Sequence, residues 1–358
     1  MTTSTLADPI LELQQRHQLL VNHEPKLRAR DRASRLGITE AELVAAQCGV
    51  RTTALIADVP NPFQTIFREL GSLGRVMALT RNDGCVHERH GRYETIQVDA
   101  PVGLVLGKDI DLRIFFAHWR YGYAVEESGR LSLQFFDAAG DAVHKIFLTE
   151  HSDIEAYTRL LARFGRPVSE LPIIAPIPIT ATSAGREEKP TPDNVTALRN
   201  AWLALKDTHD FHGMLTRFGV SRLGALRAAG ADLAQEVAPQ NIETVLNICA
   251  ATALPLMCFV GNRGMIQIHT GCVHTLRRTG PWYNVLDADF NLHLNTEAIT
   301  SCWIVNKPTV DGWITSLETF AADGSLIVQF FGARKPGKPE LPEWRNVLAS
   351  LCREPLAA

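Results

Sequence analysis

The sequence lacks the long apolar run that a membrane-spanning helix needs. No segment approaches about 18 consecutive apolar residues, the length that crosses a bilayer. Its N-terminal residues also lack the positively charged start and the uninterrupted apolar stretch of a signal peptide. These two absences predict a soluble, cytoplasmic chain without membrane insertion.

Cysteine patterns that would indicate a disulfide framework or a structural zinc site are also missing. No two cysteines are spaced as CxxC, and their number is odd. The seven are Cys48, Cys85, Cys249, Cys258, Cys272, Cys302 and Cys352. Reduced, partly buried thiols are expected instead.

A strong charge of either sign is absent as well. The 358 residues contain 36 Lys plus Arg against 39 Asp plus Glu, which gives a formal net charge of −3. This balance provides no overall attraction to nucleic acid or to an anionic membrane, so any basic site must be local. With 46% hydrophobic residues, the chain has the composition of a globular protein, and its length has room for about two domains.

What is present is a set of helices followed by a sheet. Helical periodicity covers residues 9–21, a capping box at 39–42 opens a second helix, and residues 154–164 are helical again. Between them, residues 76–147 hold short apolar segments separated by turn sequences. That pattern is typical of antiparallel strands.

The same order returns after a proline-rich segment. Residues 166–192 contain six prolines, a density that favours extended backbone and predicts a linker. The chain then reads as helical to about Val237, strand-like over 256–331 and helical near 344–351. Helices and then strands, twice over, predict an α+β fold.

The two parts also share residues at a nearly constant spacing. An offset of 180 positions aligns Met77, Asn82 and Gly84 with Met257, Asn262 and Gly264. Towards the end of the sheet, an offset of 184 aligns Trp119, Phe136 and Gly140 with Trp303, Phe320 and Gly324. We therefore expect a tandem duplication, in which each half is a helical segment packed on a large antiparallel β-sheet. The expected domains are 1–165 and 193–358, with the linker at 166–192.

The two copies differ most usefully in one segment of the second. Residues 207–215 contain His209 and His212, and the first half has no histidine pair at the matching place. Asp207 and Thr208 offer a helix cap, which places His209 in the first turn of a helix. There the helix dipole disfavours imidazolium, so the neutral ring can bind a metal. The i, i+3 spacing makes either histidine a candidate ligand, while two surface histidines on a helix are the alternative.

Aromatic and cationic residues meet at the end of the second predicted sheet. Residues 329–337 include Phe330 and Phe331 followed by Arg334 and Lys335, and Lys307 lies at a nearby strand end. This combination suits a flat apolar ligand that carries carboxylates, and haem has that character. An ordinary strand that leads into a basic turn is the alternative interpretation.

Together, the tandem organisation and the segments 207–215, 303–309, 315–318 and 329–337 resemble a known family. They are similar to the cytoplasmic haem-trafficking and hemin-degrading factors of Gram-negative haem-uptake systems, over nearly the whole chain.

The resemblance implies roles for individual residues around a haem b group. His209 would ligate the iron, with His212 as an alternate ligand that some relatives lack. From the first half, Arg113 would face the other side of the ring, with Phe115 against it. The propionate partners would be Arg222, Lys307 and Arg334. Phe331 would pack at the edge, where some relatives carry a tyrosine.

The resemblance also implies a function. A haem carrier is favoured, one that accepts imported haem and delivers it to a cytoplasmic haem oxygenase or another acceptor. Contact with an inner-membrane haem importer is a further expectation. The enzyme alternative is haem degradation in the same pocket, with Arg113 as the acting residue. It needs an external reductant, because the sequence has no flavin or nicotinamide fingerprint.

A third alternative belongs to another class. Residues 32–49 resemble the helix-turn-helix of DNA-binding regulators, preceded by Lys26, Arg28 and Arg30. Two packed helices with a capped turn are favoured over DNA binding. His87 and His90 also form an HxxH pair, for which a surface hairpin is favoured over a second, looser haem site.

Overall fold

The structure is a computed structural model that describes residues 8–55, 62–99, 101–166, 192–335 and 337–358. The predicted linker at 166–192 lies outside the described residues except at its two ends. Within the described ranges, no helix combines the length and apolar character needed to cross a membrane.

The first half contains helices at both ends and strands between them. The helices are α1 (Asp8–His23), α2 (Ala29–Leu36), α3 (Glu40–Ala45), α4 (Pro62–Glu69) and α5 (Ile154–Phe164). The strands are β1 (Thr52–Leu55), β2 (Gly74–Arg81), β3 (Cys85–Gly91), β4 (Thr95–Asp99), β5 (Val102–Leu106), β6 (Asp111–Phe115), β7 (Tyr121–Glu127), β8 (Arg130–Phe136), β9 (Ala142–Ser152) and β10 (Gly165–Arg166).

The second half repeats this order. Its helices are α6 (Pro192–Leu203), α7 (Asp210–Phe218), α8 (Arg222–Ala228), α9 (Asn241–Thr252) and α10 (Pro342–Ala349). Its strands are β11 (Ala234–Val237), β12 (Leu256–Gly261), β13 (Met265–Gly271), β14 (Leu276–Thr279), β15 (Trp282–Leu286), β16 (Phe290–Asn295), β17 (Ser301–Thr309), β18 (Gly312–Phe320) and β19 (Leu326–Gly332).

The chain divides into two compact units that each contain a short segment from the other half. The first unit comprises residues within 1–80 and 90–179 together with Asn262–Ile266. Its antiparallel strands run in the order β10-β1-β7-β8-β9-β2 and β6-β5-β4. The second unit comprises residues within 180–261 and 267–358 together with Arg81–Arg89. Its strands run in the order β11-β17-β18-β19-β12 and β3-β16-β15-β14.

In both units, a glycine and a capping residue precede a helix. Gly37 (φ 72°) ends α2 and Gly219 (φ 61°) ends α7, both in the left-handed conformation that glycine adopts readily. Two residues later, Thr39 and Ser221 each accept a hydrogen bond from the backbone N–H three residues on. At Thr39 the Glu42 side chain completes the predicted capping box.

Two asparagine turns confirm the predicted duplication. In the first unit, the Asn262 side chain donates to the Val143 carbonyl at 2.8 Å. In the second, Asn82 donates to the Ile327 carbonyl at 2.8 Å. The glycine two residues after each asparagine is required, since a Cβ at Gly84 would lie 2.9 Å from the Ile327 side chain.

The register of the strands shows where the four extra residues of the second copy are inserted. Tyr123 pairs with Gln134 between β7 and β8, and Trp303 pairs with Glu318 between β17 and β18. The first members of these pairs are 180 apart and the second members 184 apart, so the insertion lies in the β17–β18 hairpin. The predicted match of Trp119 with Trp303 is therefore wrong, because the insertion follows Trp303.

Three local predictions are also corrected. Residues 234–237 form the edge strand β11 instead of a helix end. The helix α9 was not predicted, although its buried residues Ile242, Val245, Leu246 and Cys249 follow the helical spacing. His87 is 0% exposed and packs on Phe290, with ring centroids 5.0 Å apart, so it is not the expected surface residue.

One hydrophobic cluster of the second unit holds the helices that carry the predicted site. Trp202 of α6, Phe211 of α7 and Leu226 of α8 are buried against Val305 and Phe320 of the sheet. The three helices therefore cover one face of β17 and β18, and this packing positions α7 and the first residue of α8 over the sheet.

Candidate functional site

A buried group of charges lies where α8 meets the sheet of the second unit. Glu318 of β18 is 0% exposed and receives two hydrogen bonds from Arg222, at 2.6 Å from Nε and 2.7 Å from Nη2. The Lys307 ammonium donates to the same carboxylate at 2.9 Å, and the Ser316 hydroxyl donates at 2.8 Å. Two cations therefore share one carboxylate.

The protonation states follow from burial and from these neighbours. Burial by itself would raise the pKa of Glu318, but the Arg222 guanidinium and the Lys307 ammonium hold it below its ordinary value. Burial lowers the pKa of Lys307 to about 8, which leaves it mostly protonated at neutral pH. The group thus carries one net positive charge, which favours an anionic ligand.

Two aromatic rings enclose this group. Phe211 lies 5.0 Å from the Arg222 guanidinium and 4.8 Å from the Lys307 ammonium, measured to the ring centroid. Phe331 lies 5.9 Å from the same ammonium. Lys307 is only 2% exposed, whereas the side chain of Arg222 is 25% exposed. Arg222 is therefore the more accessible of the two cations.

The two predicted histidines lie at the start of α7. His209 occupies the N-cap, one residue before the predicted first turn, and its side chain is 83% exposed. Its Nδ1 lies 2.6 Å from Asp207 Oδ1. The hydrogen bond from the His209 backbone N–H, with smaller contributions from the His209 ring and Arg334, lowers the pKa of Asp207. His212 is exposed on α7.

Arg334 follows β19 and is held by the hairpin between β17 and β18. Its Nη2 donates to Asp311 Oδ2 at 3.0 Å, and the Gly337 N–H donates to the same oxygen at 3.0 Å. The side chains of Arg334 and Asp311 are each 18% exposed. The guanidinium is thus fixed close enough to the histidine segment to influence Asp207.

The other two predicted residues belong to the first unit. Arg113 of β6 forms an ion pair with Asp111 and donates to the Leu112 carbonyl at 3.2 Å. Its side chain is 29% exposed. Phe115 at the end of β6 is half-buried. The remaining predicted residues all lie in the second unit.

Several residues that shape the site were not predicted as site residues. Phe211 and Glu318 organise the buried charges, and Asp207 and Asp311 hold His209 and Arg334. A signal for Glu318 was available in the sequence, because it is the only charged residue of β18 among apolar and hydroxyl residues. A charge in such a strand indicates a buried partner of opposite sign.

A protein-family comparison matches both halves of the chain. The model of the haemin-degrading HemS.ChuX domain matches residues 37–164 and 219–351. Both matches begin at the left-handed glycine that precedes α3 or α8. Among curated proteins, the hemin transport protein HmuS of Yersinia pestis is 39% identical over 350 residues. This covers 96% of this chain and 98% of the relative.

Solved structures agree over the same length. Apo-PhuS, described as a heme-binding protein from Pseudomonas aeruginosa, superposes with a TM-score of 0.90 at 43% identity, covering 96% of this chain and 99% of PhuS. ChuS, described as an E. coli heme oxygenase, superposes with a TM-score of 0.83 at 32% identity, covering 95% of this chain and 99% of ChuS.

Proposed function

This chain belongs to the family of haemin-degrading HemS.ChuX-domain proteins, and we propose that it is a cytoplasmic haem carrier. It takes up imported haem and delivers it to a haem oxygenase or another acceptor. The names of HmuS, a hemin transport protein, and PhuS, a heme-binding protein, support haem b as its ligand. Contact with an inner-membrane haem importer belongs to the same proposal.

The observation that carries the proposal is the surplus positive charge in the second unit. Arg222 and Lys307 share the single carboxylate of Glu318 beneath an aromatic ring. A haem propionate on the exposed side of Arg222 would neutralise this surplus. Lys307 is buried, so we assign it to hold Glu318 below the ligand rather than to contact a propionate directly.

The remaining roles follow the family resemblance. His209 ligates the iron and His212 is the alternate ligand. Arg334 exchanges Asp311 for the second propionate, and Phe331 packs at the ring edge. Arg113 and Phe115 keep the haem contacts that the family resemblance implies. An exposed histidine and a partly exposed guanidinium suit a protein that must release its ligand.

The ligands can be tested by the absorption spectra of the hemin complexes of His209→Ala and His212→Ala. We expect the Soret band to shift strongly in His209→Ala and less in His212→Ala, since the resting ligand is His209. Spectra unchanged in both variants would remove these residues as ligands.

The likeness to ChuS supports haem degradation as the second candidate function. The carrier and enzyme functions are distinguished by incubating the hemin complex with a mild reductant, with and without oxygen, in the presence of catalase. A carrier keeps its Soret band in air and loses haem only to an acceptor. Loss of the band with release of carbon monoxide or a linear tetrapyrrole would establish the enzyme instead.

The geometry does not favour the DNA-binding alternative. The second helix of the predicted helix-turn-helix, α3, has six residues, and Glu40, Ala41, Leu43 and Val44 are buried. A helix packed in this way has no face to insert into a DNA groove. The structure therefore fits the packed, capped turn that the sequence favoured.

A further inference from the structure

Asp207 makes two hydrogen bonds to His209, the proposed iron ligand. Its Oδ1 accepts from the His209 backbone N–H at 2.9 Å and lies 2.6 Å from the ring Nδ1. An ionised carboxylate has no proton to donate, so the proton of this bond resides on Nδ1. The lone pair of a neutral His209 ring is then on Nε2, the nitrogen that points away from Asp207.

The surroundings of His212 differ. Its backbone carbonyl accepts from Thr216 Oγ1 at 3.1 Å. Within the part of the chain that the structure describes, no carboxylate is hydrogen-bonded to the His212 ring. Among these described residues, the carboxylate that sets a ring orientation and tautomer therefore belongs to His209, three positions away.

We propose that Asp207 is the positioning residue that makes His209, rather than His212, the iron ligand of the resting complex. This inference rests on the proposed function. A carboxylate bonded to the far nitrogen of a metal-bound histidine orients the ring and strengthens it as a donor. Asp207 thus stabilises haem on His209, while His212 serves as the weaker site from which haem is released.

The test compares two substitutions that remove the same charge on either side of His209. Asp207→Asn keeps an oxygen that accepts the backbone N–H but removes the carboxylate from the ring. Asp210→Asn is the matched control, because Asp210 is also exposed and adjacent to His209, whereas the carboxylate bonded to the ring is that of Asp207. Since Asp207 is 59% exposed, its substitution leaves the fold intact, which circular dichroism verifies.

Two measurements report on the ligand bond. In Asp207→Asn we expect one-to-one hemin binding, a lower Fe–His stretching frequency in the resonance Raman spectrum of the ferrous complex, and haem loss to excess apomyoglobin about 10- to 100-fold faster. Asp210→Asn should match the unsubstituted protein in both. If Asp207→Asn also matches it in both, the inference is overturned.

Failure of this inference is distinguishable from failure of the proposed function. If His209→Ala keeps the parental spectrum, His209 is not the ligand, and the proposed ligation fails with it. If His209→Ala changes the spectrum while Asp207→Asn does not alter frequency or release, only the role of Asp207 is lost. A spectrum of Asp207→Asn that coincides with that of His209→Ala, and disappears when His212→Ala is added, supports transfer to His212.

Discussion

The two units place opposite charges at equivalent positions of one scaffold. Arg222 begins α8 directly after its N-cap, and Glu40 occupies the same place at the start of α3. Lys307 of β17 corresponds to Glu127 of β7, because the register of these strands fixes an offset of 180. Where the second unit has two bases, the first has two acids.

In the first unit, each of these two acids has a base of its own. Glu40 forms a buried ion pair with Lys145, and Glu127 pairs with Arg32. The second unit instead lets two bases share Glu318, which leaves one positive charge over. The two copies therefore share a scaffold and differ in the placement of charge, and only the second has a surplus positive charge at these positions.

The largest expected effect is on stability. Glu318 of the second unit corresponds to Gln134 of the first, so Glu318→Gln gives both units the same residue at this position. Glu318→Gln leaves two buried cations without a carboxylate, so the free energy of unfolding should fall by about 3–5 kcal/mol. Urea denaturation measures it. The control Gln134→Leu keeps the buried volume and should cost about 1 kcal/mol, as for one neutral hydrogen bond. Equal losses in both variants would contradict the difference between the units.

The next effect concerns hemin affinity. Arg222→Gln removes a charge-assisted bond worth about 1.5–3 kcal/mol, so the Kd for hemin should rise about 10- to 100-fold. The matched substitution in the first unit, Glu40→Gln, should leave the Kd unchanged. Fluorescence quenching or optical titration measures both. A comparable loss in Glu40→Gln would show that the first unit also binds the anionic groups.

The units agree in one property, a buried neutral histidine. Burial lowers the pKa of His144 in the first unit and of His269 in the second to about 3, from 6.5. Between these values the unfolded chain binds the proton and the folded chain does not, so stability falls as the pH falls through this window. Each histidine contributes a slope of about 1.4 kcal/mol per pH unit.

His144→Gln should therefore reduce the slope of unfolding free energy against pH by about 1.4 kcal/mol per unit between about pH 4 and 6. Urea denaturation at several pH values checks this. Gln134→Leu serves as the control, since it removes no titrating group and should leave the slope as it was. An unchanged slope in His144→Gln would mean that its ring is protonated in the folded protein.

The smallest effect concerns the partly exposed pair of Arg334 and Asp311. Asp311→Asn should change stability by less than about 1 kcal/mol, as for other partly exposed ion pairs. Hemin should bind up to about fivefold more tightly, because Arg334 no longer has to leave a carboxylate. Asp323→Asn, in the next hairpin, is the control for hemin binding and should leave the Kd unchanged. Weaker hemin binding in Asp311→Asn would show that Asp311 helps to present Arg334.

Much of the fold was predictable because its signals are local. The capping box at Thr39, the helix Ile154–Phe164 and the hairpin turns all depend on neighbouring residues. The strand β11 was missed because a four-residue edge strand carries no clear period, whereas α9 was missed although its buried residues follow the helical spacing. The place of the insertion needed strand register, which depends on contacts between strands.

The site was predictable only in part for the same reason. His209, Arg222 and Lys307 are chemically conspicuous in the sequence. Their partners are not, because Glu318 lies 96 positions from Arg222 and meets it only when α8 packs on β18. That contact also explains why Lys307 is enclosed rather than exposed. Sequence identifies reactive groups, but tertiary packing decides which of them a ligand can reach.

The most direct test of the account is an optical titration with hemin of the unsubstituted protein and of a His209→Ala, His212→Ala double variant. If the second unit holds the haem site, the unsubstituted protein is saturated by one equivalent of hemin with a sharp Soret shift. The double variant does not show that spectrum. Saturation at two equivalents, or the same spectrum in both proteins, would contradict the assignment of haem to the second unit.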